Sequence, residues 1–198
     1  TATIFSSLLL IWVGKKIDEY QIIYYSFFVI FLLFFSSLFF SFINSIYFLA
    51  AGIFLIRFSG QGLMSHTSTT TISRFFVKSR GKALSTIWFG LSSAEFILPV
   101  LITYLFAIYS WRSVWQGIAI IIIFFLPFVI FKTIKTIKLD SREMEQNSKM
   151  SLEIKSWRRK EVIKDYRFFI ISLYMLAMPW IATGVFVYQS FISDSKMW

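Results

Sequence analysis

A chain of 198 residues that is 57% hydrophobic, 21% aromatic and only 15% charged has too little charge to coat a soluble domain of its size. A net charge of +10 raises the question of nucleic-acid binding, but the basic residues stand in short runs between long apolar blocks, which is a membrane-topology pattern and excludes a polyanion-binding face. With no cysteine and a single histidine, disulfide frameworks, thiolate redox centres and multi-histidine metal sites are excluded, and no cofactor is implied.

The hydrocarbon core of a bilayer takes about 20 apolar residues of helix. Six blocks approach that length. The first, Thr1 to Val13, reads as the end of a helix whose start precedes the chain. The second is Ile22 to Ile43. The third is Ile46 to about Phe76, polar in its second half. The fourth is Ala83 to Tyr109, the fifth Val114 to Phe131 and the sixth Phe168 to Ile192. The runs are too long for strands and do not alternate, so the predicted class is all-α, a polytopic membrane helical bundle. No charged leader or cleavage site precedes the first block, so no signal peptide is expected.

The connections alternate in character. Gly14–Gln21, Arg74–Lys82 and Lys132–Arg167 hold 17 of the 20 Lys and Arg, while Asn44-Ser45 and Tyr109–Ser113 are short and carry only Arg112. The positive-inside rule therefore assigns the three basic loops to the cytoplasm. A single cysteine introduced at Ser79 should stay unlabelled when an impermeant thiol reagent is added to intact cells, and should react after permeabilisation. Labelling from outside would overturn the topology. The long loop from Lys132 to Arg167 mixes charges, as in Asp140-Ser141-Arg142-Glu143, and reads as a surface helix or linker between bundles. Three regions follow: a helical bundle over 1–131, a cytoplasmic loop over 132–167 and the first helix of a second bundle over 168–198.

Gly14-Lys15-Lys16-Ile17-Asp18 resembles the Gly-x-x-x-Asp loop between helices 2 and 3 of the major facilitator superfamily, with Glu19 where that family has a basic residue. Arg57-Phe58-Ser59-Gly60-Gln61-Gly62 is similar to the family's fourth-helix motif of an Arg followed by Gly-x-Gly. Arg80-Gly81-Lys82-Ala83 is similar to its loop between helices 4 and 5, and Trp111-Arg112 to the outer turn between helices 5 and 6. Gly62–Pro99 resembles the monocarboxylate and oxalate–formate group. The resemblance implies a twelve-helix fold of two six-helix bundles, of which the chain would supply helices 2 to 7. The missing helices of the same full-length chain would then be its partners, beside the lipid bilayer and a small-molecule substrate, with no nucleic acid. It implies alternating access about a midplane site, a bacterial inner-membrane location and no enzymatic activity. Gly14, Asp18 and Arg80, from the two loop motifs, would be conformational-gating residues.

Tyrosines aside, only Arg57, His66 and Glu95 are ionisable groups well inside the blocks, and an intramembrane charge is a functional candidate by default. Arg57 lies about 16 Å along its helix from the outer end at 1.5 Å per residue. It reads either as a cation binding an anionic substrate or as half of an ion pair locking helices together. His66 is nine residues further on, and at 100° per residue it falls on the opposite face. Its choices are a transport role or an interhelical hydrogen bond. Gln61 lies in the same Ser- and Thr-rich stretch. Arg57, Gln61 and His66 form the candidate substrate-binding set. Glu95 stands about 20 Å above Lys82. Pro99, four residues later, cannot donate to its carbonyl, and Trp88, Ser92, Glu95 and Pro99 share a face. A charge there is costly, so proton uptake is an accessible response, which suits a proton-coupling group. The alternative is a carboxyl hydrogen-bonded for packing. Thr86, Gly90 and Ala94 form a small-residue stripe of the kind that packs helices closely. A sensor or scaffold on the same bundle is the rival function. An intramembrane enzyme is disfavoured because no helix holds a cluster with ligand or triad spacing.

Overall fold

The computed structural model describes residues 2–76, 79–138 and 159–196, and every regular element in them is helical. In chain order these are α1 (Ala2–Val13), a 3-10 turn (Gly14–Asp18), α2 (Ile22–Ser41), α3 (Ile46–Ile56), a π-helical segment (Arg57–Met64), α4 (Ser65–Phe75), α5 (Arg80–Ile108), α6 (Trp111–Lys138), α7 (Arg159–Lys164) and α8 (Tyr166–Lys196). Helix α3, the π segment and α4 follow without a break. Five of the resulting stretches are long and apolar enough to cross a membrane: Ile22–Ser41, Ile46–Phe75, Arg80–Ile108, Trp111–Lys132 and Tyr166–Val185. The predicted all-α membrane bundle is thus the observed architecture. It follows from the solvent, because inside lipid a helix satisfies its own N–H and C=O groups.

The chain forms two compact units, Thr1–Lys149 and Met150–Trp198. Helix α6 continues to Lys138, past the sequence-based limit at Phe131, and α7 lies inside the predicted loop. The remainder of that loop, 139–158, lies outside the described residues. In the second unit Asp165 separates α7 from α8, and its side chain accepts the backbone N–H of Arg167 at 2.9 Å. This N-cap satisfies one of the donors that a helix start leaves open.

In the first unit α2 is the central element. It packs against α6, α3 and the π segment, while α1 packs against α3 and the π segment and α4 against α5. The tightest cluster joins Ile17, Tyr25, Val29, Phe58 and Leu63. Lipid tails are as apolar as leucine, so burial of apolar side chains cannot be what draws these helices together; close packing must. Small residues at the contacts permit it. Ser36 on α2 and Ser59 on the π segment are both buried, and their hydroxyls meet at 3.1 Å. Ser36 donates back to the Leu32 carbonyl at 2.7 Å, and the single hydroxyl proton of Ser59 is shared between Ser36 Oγ and the Leu55 carbonyl, also at 2.7 Å. An interhelical hydrogen bond in a membrane contributes about 0.6 kcal/mol on average. The larger effect of these serines is the close backbone approach.

Gly52 shows the same requirement more sharply. A Cβ there would fall 2.6 Å from Ile43 Cδ1 and 2.9 Å from Phe40 Cδ2. Gly52→Ala should therefore destabilise the bundle by about 1–3 kcal/mol, the usual range for overpacking. A lowered thermal midpoint in detergent would record it. An unchanged midpoint in Gly52→Ala would refute the packing.

The turn between α5 and α6 is shorter than the sequence suggested. Trp111 and Arg112, assigned there to the turn, form the first turn of α6. Ser110 is the reason: its hydroxyl accepts the backbone N–H of Ser113 at 3.2 Å, as an N-cap does. Arg112 then reaches across to the α2–α3 turn, donating to Asn44 Oδ1 at 2.7 Å and to the Ile43 carbonyl at 3.3 Å. Its guanidinium lies 4.6 Å from the Trp111 ring centroid, within cation–π range.

Candidate functional site

The polar residues of the long third span gather on its π segment and on α4. The π segment reads Arg-Phe-Ser-Gly-Gln-Gly-Leu-Met. Two glycines within three residues weaken the α-helix locally, by about 1 kcal/mol each relative to alanine. They also open the segment to close neighbours. A Cβ at Gly60 would meet Leu33 of α2 at 3.4 Å, and one at Gly62 would lie 3.7 Å from Leu10 of α1. A π turn closes its hydrogen bonds over five residues instead of four, so each residue advances the helix by a smaller angle. The half-turn separation expected between Arg57 and His66 assumed a uniform 100° per residue and does not follow across this segment. Wide turns of this kind recur at functional sites.

Arg57 is exposed, and its Nη1 donates to Gln61 Oε1 at 3.1 Å. The two candidate substrate-binding residues therefore act as one polar pair on the open face of the span. Among the described residues no ion pair joins Arg57 to an acid, Glu95 included. The helix-locking ion pair is thus not formed among the described residues. His66, the third member of the set, turns elsewhere: its Nε2 lies 3.2 Å from the Gly14 carbonyl. In the tautomer protonated at Nε2 this is the interhelical hydrogen bond anticipated as its alternative role.

The three residues expected to gate all contact this same span. Gly14 lies beneath the His66 ring, and a Cβ there would stand 3.3 Å from His66 Cδ2 and Nε2. Asp18 forms an ion pair with Arg74, at the end of α4, which also donates to the Ile17 carbonyl at 3.3 Å. Arg80, predicted in a loop, is the first residue of α5 and donates to the Ser73 carbonyl at 3.1 Å. Arg74 is the partner that sequence reasoning missed. It counted only as one more basic loop residue, although the complementary charge at Asp18 was the available signal.

Glu95 stands apart on α5. This helix buries none of its residues, and Trp88, Ser92, Glu95 and Pro99 all lie on open surface. Pro99 sits inside the continuous helix. The Thr86–Gly90–Ala94 stripe, expected to pack, has no helix against it at Gly90, where a Cβ would meet nothing within 4 Å. Among the described residues no neighbour lies at that point of the stripe. No group of acidic or histidine side chains suited to a metal ion occurs among the described residues.

An all-helical bundle with several membrane-length helices, one of them polar and glycine-interrupted, is the architecture of a multi-pass membrane protein. The family model described as Major Facilitator Superfamily matches residues 1–196. The chain belongs to the major facilitator superfamily, a family of membrane transporters. No curated protein and no solved structure matches it.

Proposed function

We propose that the protein is a secondary active transporter of a small organic anion, of monocarboxylate type, working by alternating access in a bacterial inner membrane. The Arg57–Gln61 pair carries this reading. A guanidinium costs several kcal/mol at mid-span unless it has work there, and a fork of N–H donors matches a carboxylate. The guanidinium is tethered to a neutral amide on its own helix, and among the described residues no acid pairs with it, so its charge is available to a ligand. Gln61 orients the guanidinium and offers its own amide. His66 extends the polar wall while holding Gly14.

In this reading Glu95 couples transport to protons. Gly14, Asp18 and Arg80 gate, because their partners His66, Arg74 and Ser73 all lie on α4 and tie it to the Gly14–Asp18 turn and to the start of α5. A ligand that shifts the Arg57 segment would strain those ties, giving both sites a shared two-state element. The sensor or scaffold alternative needs no free cation in the membrane. The test is uptake of labelled small monocarboxylates by the full-length protein in proteoliposomes, against their amides as neutral controls. Saturable uptake of the acids alone is expected. Absence of uptake and counterflow across the series would favour the scaffold.

A further inference from the structure

Beyond the transport reading, and independent of it, a second site lies on the outside of the bundle where α1 meets α2. A cleft of about 350 Å³ there is lined by Val13, Lys16, Tyr20, Tyr24, Tyr25 and Phe28. We propose that it binds an anionic phospholipid of the cytoplasmic leaflet, with the phosphate at Lys16 and an acyl chain along α2.

The lining divides by chemistry. Lys16 comes from the 3-10 turn, Tyr20 from the connection that follows it, and Tyr24 from the first turn of α2. All three are exposed. They supply an ammonium and two phenolic hydroxyls, the donors a phosphodiester needs. Tyr25 is buried, and its hydroxyl is engaged with the Val13 carbonyl at 3.1 Å, so it forms the floor. Phe28 continues the cleft toward the membrane interior. Tyr24, Phe28, Phe31 and Phe35 follow one another at helical spacing and are all exposed. They form an aromatic track on α2, away from the buried face of Tyr25, Ser26, Val29 and Ile30.

Charge selects the occupant. Of the two neighbouring lysines, Lys15 is paired with Glu19 at 3.7 Å, while Lys16 lines the cleft. The cleft lies at the basic end of the bundle, which the positive-inside rule assigns to the cytoplasmic leaflet. Anionic lipids attract juxtamembrane basic residues there. A lysine at this level keeps its ammonium at headgroup height while its stem lies along apolar surface. Free phosphate would use the same donors but gain nothing from the aromatic track.

The test uses the full-length protein in mixed micelles with phosphatidylglycerol and phosphatidylcholine, counting retained lipids by native mass spectrometry. The wild type is expected to retain phosphatidylglycerol preferentially. Lys16→Gln should reduce that preference about five-fold, the effect of one basic residue at an anionic surface. Lys15→Gln should leave it unchanged. Phe28→Ala should weaken retention without altering the salt dependence that Lys16 confers. Lys16 and Phe28 are exposed, so neither variant threatens the fold, and an unchanged thermal midpoint checks this. Equal retention of the two lipids by wild type, or the same loss in Lys15→Gln as in Lys16→Gln, would overturn the proposal. Displacement of phosphatidylglycerol by millimolar inorganic phosphate would also overturn it, because the cleft would then be a phosphate site and not a lipid site.

Discussion

Arg57→Met in the full-length protein is expected to lower uptake of an anionic substrate about tenfold to a hundredfold, the range for losing a hydrogen bond to a charged group, while leaving the protein folded. The separation of the two effects comes from the local geometry. Arg57 is exposed and bonds to Gln61 four residues on in its own span, and among the described residues no ion pair ties it to another helix. An Arg held in an interhelical ion pair would behave differently, because removing one partner strands the other charge. Arg57→Lys keeps the charge and loses the planar fork, so it should retain part of the activity. Gln61→Ala should raise the apparent KM more than it lowers kcat, since it orients the cation without supplying the charge. Uptake kinetics and size-exclusion profiles measured on the same preparations check the set. Normal transport by Arg57→Met would remove the anion-binding role. Loss of folded protein would contradict the intrahelical geometry itself.

The class of fold was legible because the bilayer imposes it. Long apolar blocks in lipid have few alternatives to helices; Gly14–Gln21 broke the blocks where α1 ends and α2 begins, and Asn44-Ser45 where α3 begins, while α2 stops at Ser41, two residues short of its block. Helix ends set by a single side chain were less legible. Ser110 caps α6 and draws Trp111 and Arg112 into the helix, and such a cap is readable only once the first turn is known to begin there. The π segment was not legible as a π segment. Its glycines announced weakness in the α-helix, but how the turns rewind depends on what packs alongside, here Leu33 and Leu10.

The candidate site was legible in its residues and not in its pairings. Arg57, Gln61, His66, Gly14, Asp18 and Arg80 were each picked by chemical type or motif. That His66 meets Gly14, and that Asp18 meets Arg74, depends on the 3-10 turn folding back beside α4, with separations of 52 and 56 residues. No local pattern encodes that. These pairs attach α4 to the Gly14–Asp18 turn at two points, near the start of α4 at His66 and near its end at Arg74. A change in the winding of the adjoining π segment would therefore reach that turn through both.

Glu95→Gln is expected to abolish uphill uptake driven by a proton gradient while sparing substrate-for-substrate exchange. Glu95 is the one acid well inside a span, and Pro99 leaves its backbone carbonyl without the usual donor. Within this unit α5 buries no residue, and Glu95 lies on its open face. Replacing it therefore removes no packing contact that the unit depends on. Exchange needs only binding and reorientation. Accumulation against a gradient also needs a proton bound in one state and released in the other, and linkage requires that proton and substrate affect each other's affinity equally. Gln keeps the size and a hydrogen-bonding head group but cannot carry the proton. Counterflow and gradient-driven uptake measured in the same vesicles separate the two steps. Full proton-driven accumulation by Glu95→Gln would dismiss Glu95 as the coupling group. Loss of both activities would also dismiss that role in favour of substrate binding, provided the variant remains monodisperse with an unchanged thermal midpoint. A fall in gradient-driven uptake of at least tenfold with counterflow intact is the outcome that a coupling carboxyl on an otherwise unencumbered face of α5 requires, since that is about the effect of 1.4 kcal/mol of lost coupling.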